Sequence, residues 1–226
     1  MFPSFIQELV ISNSLRRICE VGAGANPAVS QEFAKEHGLL YRPIDKSVTE
    51  INKSGFEESS VFDICASGTR LLDAPYDLIC SRMCAEHFTN STKAYENMLR
   101  SLSPGGLCVH SFATLYTLPF LLNRIFPDSL SDYILERVQP DRDREKHDKF
   151  SAYYSHCRGP LKSQIRFFQE IGYEVLEYHG HFGHNYYHLR LPLLDFLEKK
   201  KTQMLLKAPV ASLTSYSTII LRRPYD

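Results

Sequence analysis

Short apolar runs alternate with amphipathic stretches through the first half of the chain. The runs have the length and composition of buried strands. They lie at 16–21, 39–44, 61–64, 77–81 and 107–112. Between them, apolar positions at helical spacing predict helices over about 28–37 and 91–102. This alternation is typical of an α/β protein in which helices cover a parallel sheet.

The second half of the chain is less regular. A helical piece over 115–126 and a charged run over 141–149 come first. Further along, the pattern predicts a helix from Pro160 to Gly172, a strand over 173–178, a helix over about 191–207 and a last strand over 216–221. No internal repeat is visible, and we expect one domain over residues 1–226. Two insertions, at about 114–159 and 185–212, are expected to form a lid on the binding side.

Composition narrows the class of protein. Of the 226 residues, 43% are hydrophobic, and 26 basic residues balance 26 acidic ones. A nucleic-acid-binding domain usually carries a basic excess, so we expect no nucleic-acid partner. The N-terminus does not resemble a signal peptide, and no apolar stretch is long enough for a transmembrane helix. The six cysteines have neither disulfide-framework nor zinc spacing, which predicts reduced, buried thiols in a cytoplasmic protein.

A glycine-bearing turn follows the first predicted strand and reads EVGAGANP from Glu20 to Pro27. Gly22 and Gly24 allow a tight turn and close approach of a ligand, and Pro27 suits the first helical position. In a dinucleotide fingerprint the helix N-terminus faces a pyrophosphate, which the carboxylate of Glu20 would repel, and Pro27 stands where the third glycine belongs. The turn therefore favours a ligand with positive charge.

Acids also end the next two predicted strands. Asp45 ends the second strand, where a carboxylate can accept hydrogen bonds from both ribose hydroxyls. Asp63 ends the third strand and is placed to accept a hydrogen bond from an adenine amino group, with Ile64 packing on the ring. One acid at each of three successive strand ends predicts a nucleoside site.

Four segments together resemble the class I S-adenosylmethionine-dependent methyltransferases. They are ICEVGAGANP, YRPID, PYDLICSRMCAEHF and LRSLSPGGLCVHSF, within roughly residues 16–113. The resemblance implies an α/β, Rossmann-like fold with a mostly parallel seven-stranded sheet, in which an antiparallel last strand lies between strands five and six. It also implies S-adenosylmethionine as cofactor and S-adenosylhomocysteine as product. The expected cofactor-binding residues are Glu20, Gly22, Ala23, Gly24, Asn26, Pro27, Asp45, Lys46, Asp63, Ile64, Ser81 and Arg82.

His87, just after the fourth predicted strand, is the candidate catalytic residue. It follows the strand directly beside the expected methyl position, and histidine is the natural general base near neutral pH for a hydroxyl acceptor. The alternative is a histidine that only shapes the pocket, since an E-H pair is common at this position in the superfamily. Ser81 and Arg82 are expected to line the methionine end of the cofactor.

Tyrosines, histidines and basic residues are interleaved at the end of the first insertion. This composition suits a polar or anionic acceptor, and a solvated loop is the alternative. The candidate substrate-binding residues are His147, Tyr153, Tyr154, His156 and Arg158. With GYEVLEYHGHFGH and LTSYSTIILRRP, the second half resembles methyltransferase-domain proteins of bacterial polysaccharide and natural-product clusters. That resemblance implies O-methylation of a saccharide, another glycan or a similar small molecule.

Two features near the C-terminus leave alternatives open. The histidine-rich stretch over 179–188 lacks supporting cysteines or an acid cluster, so we expect a pocket rim and no metal. The helix over 191–207 has three consecutive lysines beside apolar residues. We expect a core-packed amphipathic helix, with a peripheral membrane contact or a second subunit as alternatives. The protein is thus expected to be a monomer or a homodimer.

Three other functions remain open. One is N- or C-methylation of another metabolite, which needs no dedicated base. Another is a nicotinamide-dependent oxidoreductase, which Glu20 and Pro27 disfavour. The last is a non-catalytic protein that retains the fold and binds a partner.

Overall fold

A seven-stranded sheet runs through the computed structural model, which describes residues 2–68, 70–71, 73–115, 151–184, 187–188 and 191–225. Its strands are β1 (Arg17–Val21), β2 (Leu40–Asp45), β3 (Ser60–Val61), β4 (Tyr76–Arg82), β5 (Leu102–Ala113), β6 (Glu174–His181) and β7 (Tyr216–Arg222). They lie in the order β3-β2-β1-β4-β5-β7-β6. Strand β7 is antiparallel to β5 and β6, whereas the other neighbouring pairs are parallel. The predicted fold is confirmed, including the place of the last strand.

Helices cover both faces of the sheet. The described residues form α1 (Phe2–Ser12), α2 (Gln31–Glu36), α3 (Val48–Ile51), α4 (Ser91–Ser101), α5 (Lys162–Ile171) and α6 (Pro192–Lys207), with short 3-10 helices at Ala85–His87 and Ala211–Leu213. The helices predicted from the sequence include α2, α4, α5 and α6, but neither α1 nor α3. The predicted helix over 115–126 and the charged run over 141–149 lie, apart from Leu115, outside the described residues.

Helix α2 begins at Gln31 and not at the predicted residue 28. The backbone N–H of Ala28 donates to the Glu20 side chain at 2.8 Å, so the residues before the helix are held in a turn. Ser30 then caps the helix, because its Oγ accepts from the N–H of Phe33 at 3.2 Å. A hydrogen bond to a side chain of β1 therefore delays the start of the helix.

Both faces of the central strands are buried, as expected for a parallel sheet. On one face, Ile18 of β1 belongs to a core with Ile6 and Val10 of α1. On the other face, Cys19 belongs to a core with Tyr95 of α4. Full burial of an apolar side chain such as Ile6 contributes about 1.5–3 kcal/mol. The N-terminal helix is therefore an integral part of the fold.

The cysteines pack as small apolar side chains. All six are free thiols, and Cys19, Cys80 and Cys108 in the strands are fully buried, as predicted. Burial raises the pKa of the Cys80 thiol well above its usual value, which keeps it neutral and unreactive.

The carboxyl ends of the parallel strands form one edge of the sheet, which we call the carboxyl edge. Strands β1, β2, β4 and β5 end there. Because β7 is antiparallel, its first residue, Tyr216, pairs with Ala113 and His181 at the same edge. The connection from β5 to α5 therefore starts at this edge, and the connection from β6 to β7 both starts and ends there. The N–H of Leu115 donates to the carbonyl of Cys157 at 2.9 Å, so the start of the connection from β5 to α5 is hydrogen-bonded to a residue near its end.

Helix α6 corrects one expectation. Only Glu198 and Leu205 of its sixteen residues are buried, so it is not the core-packed helix that its sequence pattern indicated. No helix in the described ranges is long and apolar enough to cross a membrane.

Candidate functional site

A cavity of about 420 Å³ opens at the carboxyl edge, where β1, β2 and β4 end. Ligands of open α/β sheets bind at this position, beside the point where the strand order reverses. The predicted site residues that line it are Glu20, Gly22, Ala23, Gly24, Asn26, Asp45, Lys46, Asp63, Ile64, Arg82 and His87. Pro27 and Ser81 are not among the lining residues.

Gly22 brings the turn after β1 against the segment that follows β4. Its φ is +69°, and its N–H donates to the carbonyl of Ile44 at 2.8 Å. A Cβ at this position would lie 2.3 Å from the Sγ of Cys84. Glycine is therefore required both for the backbone conformation and for the close approach that shapes the cavity.

The carboxylate of Glu20 is almost fully buried, although Glu20 lines the cavity. Its Oε2 accepts from the N–H of Ala28 at 2.8 Å and from the hydroxyl of Tyr41. Burial raises the pKa of Glu20, and these two hydrogen bonds and the nearby Arg82 oppose the shift. The sequence indicated a carboxylate facing a cationic ligand, whereas the structure shows that this oxygen also holds the glycine turn.

Two carboxylates lie beside the glycine turn at the end of β2. Asp45 is 8% exposed, and its Oδ1 accepts from the N–H of Ser47 at 2.9 Å. Glu50 of α3 is buried and pairs through Oε1 with Lys53 at 3.0 Å. A Cβ on Gly24 would lie 3.3 Å from Glu50 Oε2 and 3.7 Å from Asp45 Oδ2. Burial raises the pKa of Asp45, and the charge of Glu50 adds to the shift.

The loop after β3 is anchored by helix α4. The amide nitrogen of Asn97 donates to the carbonyls of Ile64 and Ala66, at 2.8 and 2.7 Å. Asp63 accepts through Oδ1 from the N–H of Cys65 at 2.8 Å, and Ile64 is buried. The two residues that the sequence assigns to an adenine ring are thereby held on one wall of the cavity.

Arg82 and Ser81 at the end of β4 point to different places. The guanidinium of Arg82 donates to the carbonyl of Asn26 at 3.1 Å, so it lies against the glycine turn. Successive strand residues face opposite sides, and Ser81 is fully buried with its Oγ 2.6 Å from Nδ1 of His110. Burial lowers the pKa of His110 to about 3, so its ring is neutral. The structure thus places Ser81 in the core, away from the cavity.

His87 ends the 3-10 helix at Ala85–His87 and lines the cavity. Its Nδ1 lies 3.1 Å from the carbonyl oxygen of Ser151. A carbonyl oxygen only accepts, so in the neutral ring Nδ1 carries the hydrogen and Nε2 carries the basic lone pair. The contact with Ser151 assigns the tautomer that a general base at Nε2 requires.

Glu86, the neighbour of His87, joins three parts of the carboxyl edge. Its side chain accepts from the N–H of Ala113 at 3.4 Å, and its carbonyl accepts from the N–H groups of Tyr153 and Tyr154 at 2.8 and 3.0 Å. The other carboxylate oxygen, Oε2, is buried and has no hydrogen-bond partner in the described part of the chain. Burial raises the pKa of Glu86 to about 7.

The Glu86→Gln variant is expected to be more stable than the wild type at alkaline pH. Glu86 titrates at about 7 when folded, against an ordinary 4.5, so between these values the folded state holds the extra proton. The free energy of unfolding of the wild type therefore falls as the pH rises through this range, by a total on the order of 3 kcal/mol. Glutamine does not ionise, so the variant avoids this loss.

Urea unfolding of both proteins at several pH values between the two pKa values and above them measures the effect. The gap between variant and wild type should be small at the acidic end and largest above the folded pKa. The exposed Glu57→Gln exchange serves as the control and should follow the wild type. Parallel pH curves for the Glu86 variant and the wild type would contradict the prediction.

The predicted substrate-binding residues are His147, Tyr153, Tyr154, His156 and Arg158. His147 lies outside the described residues, and none of the other four lines the cavity. The ring of His156 stacks on Phe167 of α5 at a centroid distance of 3.5 Å. Tyr154 is buried, which raises the pKa of its hydroxyl. Tyr153 is exposed next to the 3-10 helix that carries His87. Contact with a substrate stays a prediction for all five.

The cavity has lining residues that the sequence patterns did not indicate. They are Val21, Ala25, Glu50, Phe62, Cys65, Met83, Cys84, Phe88 and Thr89. Glu50 had a detectable signal, because Ser47 and Glu50 have the S-x-x-E spacing of a capping box and the Oγ of Ser47 accepts from the N–H of Glu50 at 3.1 Å. No comparable signal marks Met83, whose φ is +51°.

Two of the four described histidines of the 179–188 stretch contact acids of helix α6, whereas His179 contacts Glu177 and His181 contacts Thr218. His184 lies 3.5 Å from Glu198, and His188 lies 3.8 Å from Asp195. Among the described residues, no group of three or more potential metal ligands comes together. The contacts join the loop after β6 to the helix.

The chain matches a known protein family. Residues 2–190 match the model of a family described as a methyltransferase domain. A search of curated proteins finds no match.

Solved structures share the fold. The plantazolicin methyltransferase BpumL, in complex with a triazolic desmethylPZN analogue and SAH, is 15% identical with a TM-score of 0.56, over 99% of this chain and 82% of that one. Phosphoethanolamine N-methyltransferase 2 of Haemonchus contortus is 17% identical with a TM-score of 0.52, over 97% and 53%. The cyclase SpnF is 15% identical with a TM-score of 0.55, over 98% and 82%. At such identities the likeness shows the fold alone.

Proposed function

Since this chain belongs to the methyltransferase-domain family, we propose that it transfers the methyl group of S-adenosylmethionine to an oxygen atom of a saccharide or another polar small molecule. The observation that carries the proposal is the cavity at the carboxyl edge, which is lined by strand-end acids and by His87. Family membership supports methyl transfer, and the charges of the cavity support the cofactor.

The charges around the cavity fit a cationic nucleoside. Its ionisable lining residues, apart from His87 and the cysteines, are the acids Glu20, Asp45, Glu50 and Asp63 and the bases Lys46 and Arg82. This excess of acids attracts a sulfonium and an amino group, and it repels the pyrophosphate of a nicotinamide dinucleotide. When bound, S-adenosylmethionine would supply a methyl group on a positively charged sulfur.

Each end of the cofactor has a matching group in the cavity. The buried carboxylate of Asp45 would accept hydrogen bonds from the ribose hydroxyls. Ile64 would pack on the adenine ring, with Asp63 accepting from its amino group. Arg82, held against the glycine turn by the carbonyl of Asn26, would pair with the carboxylate of the methionine end.

His87 would act as the general base. Its Nε2 would accept the proton of the acceptor hydroxyl while the oxygen bonds to the methyl carbon and the carbon–sulfur bond breaks. The ring is held by the carbonyl of Ser151, and its 3-10 helix is tied to β5 through Glu86. These contacts orient the base before the acceptor arrives.

A polar acceptor is supported by the surface next to His87. The N–H of Tyr153 donates to the carbonyl of Glu86, so an exposed tyrosine lies next to the 3-10 helix that carries His87. Tyrosine offers both a hydroxyl for hydrogen bonds and a ring on which a sugar can pack. Arg158, also exposed, would favour an anionic substituent on the acceptor.

Calorimetric titration of the protein with S-adenosylmethionine, S-adenosylhomocysteine and NADH tests the cofactor. Micromolar binding of the first two, without NADH binding, is the expected result. Release of S-adenosylhomocysteine with a panel of sugars, phenols and primary amines then tests the acceptor. NADH binding alone would overturn the proposal, and turnover with amines only would replace O-methylation by N-methylation.

A further inference from the structure

Helix α6 and the residues around it carry most of the exposed apolar side chains of the described chain. More than half of the large hydrophobic side chains that are exposed lie between residues 191 and 213. The most exposed of them are Leu193, Met204 and Leu206, with 71%, 70% and 66% of their surface accessible. Contiguous exposed apolar surface of this kind marks an interaction site.

The acids of α6 are on the side of the helix that contacts the rest of the protein. Glu198 is buried, with Lys201 2.6 Å and His184 3.5 Å away. Asp195 pairs with Lys199 at 2.6 Å. Leu205 is the one buried apolar residue of the helix. Both carboxylates of α6 are therefore already neutralised by partners within the chain.

The opposite side combines apolar residues with lysines and has no acid. Leu193, Phe196, Leu197, Lys200, Met204 and Lys207 share this side at helical spacings of three and four, and we call it the outward face. All six are exposed. The ammonium of Lys200 lies 5.6 Å from the centre of the Phe196 ring, so charge and apolar surface are interleaved.

We propose that the outward face of α6 docks on the surface of an anionic lipid bilayer. The apolar side chains would enter the interface, and Lys200 and Lys207 would extend their stems to the lipid phosphates. A helix of sixteen residues is about 24 Å long, and its lysines interrupt the apolar side chains, so it lies along the surface and does not cross it.

Charge disfavours two other partners that an apolar face can have. A second copy of the chain that packed through its own outward face would bring the same lysines into the interface without an acid to meet them, and burial of unpaired ammonium groups is costly. A nucleic acid would satisfy the lysines but leave the four apolar side chains in water. An anionic bilayer satisfies both sets of side chains.

Because of the position of α6, docking on a bilayer would bring the cavity at the carboxyl edge towards the membrane surface. The helix belongs to the connection that leaves the sheet after His181 and returns at Tyr216, both at the carboxyl edge. That edge also carries the cavity and His87. If the proposed methyl transfer holds, the bound protein would meet a polar acceptor carried on a lipid. The docking itself does not depend on that activity.

Co-sedimentation of the full chain with vesicles tests the docking without any turnover. We expect binding to phosphatidylcholine vesicles that contain phosphatidylglycerol, little binding to phosphatidylcholine alone, and a decrease with added salt. Each lysine near an anionic surface changes partitioning by roughly fivefold, so Lys200→Gln with Lys207→Gln should weaken binding on the order of thirtyfold. Leu193→Ser with Leu197→Ser should weaken it as well.

A matched control removes the same charge elsewhere. Lys35 at the end of α2 and Arg100 at the end of α4 are exposed near the opposite edge of the sheet, and the double glutamine variant should bind vesicles as the wild type does. Thermal unfolding verifies that every variant is folded. The proposal would be overturned if the Lys200/Lys207 variant and the Lys35/Arg100 control lost vesicle binding equally. It would also be overturned if the folded wild type did not bind anionic vesicles. A dimer in sedimentation velocity that the leucine variants abolish would overturn it as well.

Discussion

Replacing Asp45 by alanine is expected to weaken the binding of S-adenosylmethionine by about a hundredfold or more. The carboxylate is buried at the end of β2 and borders the cavity, where it would accept hydrogen bonds from both ribose hydroxyls. Hydrogen bonds to a charged group contribute about 1.5–3 kcal/mol each, and two of them correspond to at least this loss. Calorimetric titration measures it, with S-adenosylhomocysteine as the second ligand.

Two further variants test whether the loss of cofactor affinity is specific to the carboxylate of Asp45. Asp195→Ala removes a carboxylate that pairs with Lys199 on α6 and does not line the cavity, so it should bind the cofactor like the wild type. Asp45→Asn keeps the shape and one acceptor oxygen, and its loss should be intermediate. Because Asp45 also accepts from the N–H of Ser47, thermal unfolding must show that both Asp45 variants are folded. Unchanged affinity in a folded Asp45→Ala protein would remove the ribose contact from the proposal.

The His87→Ala variant is expected to lose about two to three orders of magnitude in kcat with little change in the affinity for S-adenosylmethionine. The imidazole would take the acceptor proton, a role in the transition state that the remaining cavity residues do not replace. Release of S-adenosylhomocysteine, measured at saturating cofactor with the best acceptor of the panel, gives kcat. Titration of the same preparation gives the cofactor affinity.

The pH dependence distinguishes a base from a residue that shapes the pocket. An imidazole must be neutral to accept a proton, so base-assisted turnover slows as the pH falls, and this decline should disappear in the alanine variant. His37→Ala is the matched control, because His37 packs on Phe33 far from the cavity, at the end of α2. A folded His87→Ala protein with unchanged kcat would show that His87 is not the general base. It would favour an acceptor that needs no base, such as an amine.

The central strands and the glycine turn were predictable because the signal is local. Strands β1 and β4 are buried on both faces, so each has adjacent apolar residues at its centre, Ile18-Cys19 in β1 and Leu78-Ile79-Cys80 in β4. The turn from Gly22 onward is marked by its glycines and by Pro27. Helix α1 also had a signal, since Ile6 and Val10 are spaced by one helical turn. Helix α3 has four residues, too few for a periodic pattern.

The partner of each polar side chain was not predictable in the same way. Ser81 and Arg82 are neighbours in sequence, yet one hydrogen-bonds to His110 in the core and the other to the glycine turn. Glu20 holds that same turn through Ala28, eight residues later. His156 packs on Phe167 instead of facing the cavity. Each of these outcomes depends on how strands, loops and helices pack against one another in three dimensions, and the paired residues lie between eight and 56 positions apart in the sequence.

The α/β fold, the glycine turn and the three acids at or just after successive strand ends could be predicted from the amino-acid sequence alone, because burial periodicity and turn chemistry depend on neighbouring residues. The three-dimensional structure was needed to show that Glu50 joins Asp45 at the cavity, that Glu86 is buried with a raised pKa, and that the outward face of α6 is exposed. A local pattern specifies which side chains must leave water. Which neighbours they then meet, and how completely, is set by contacts between distant segments.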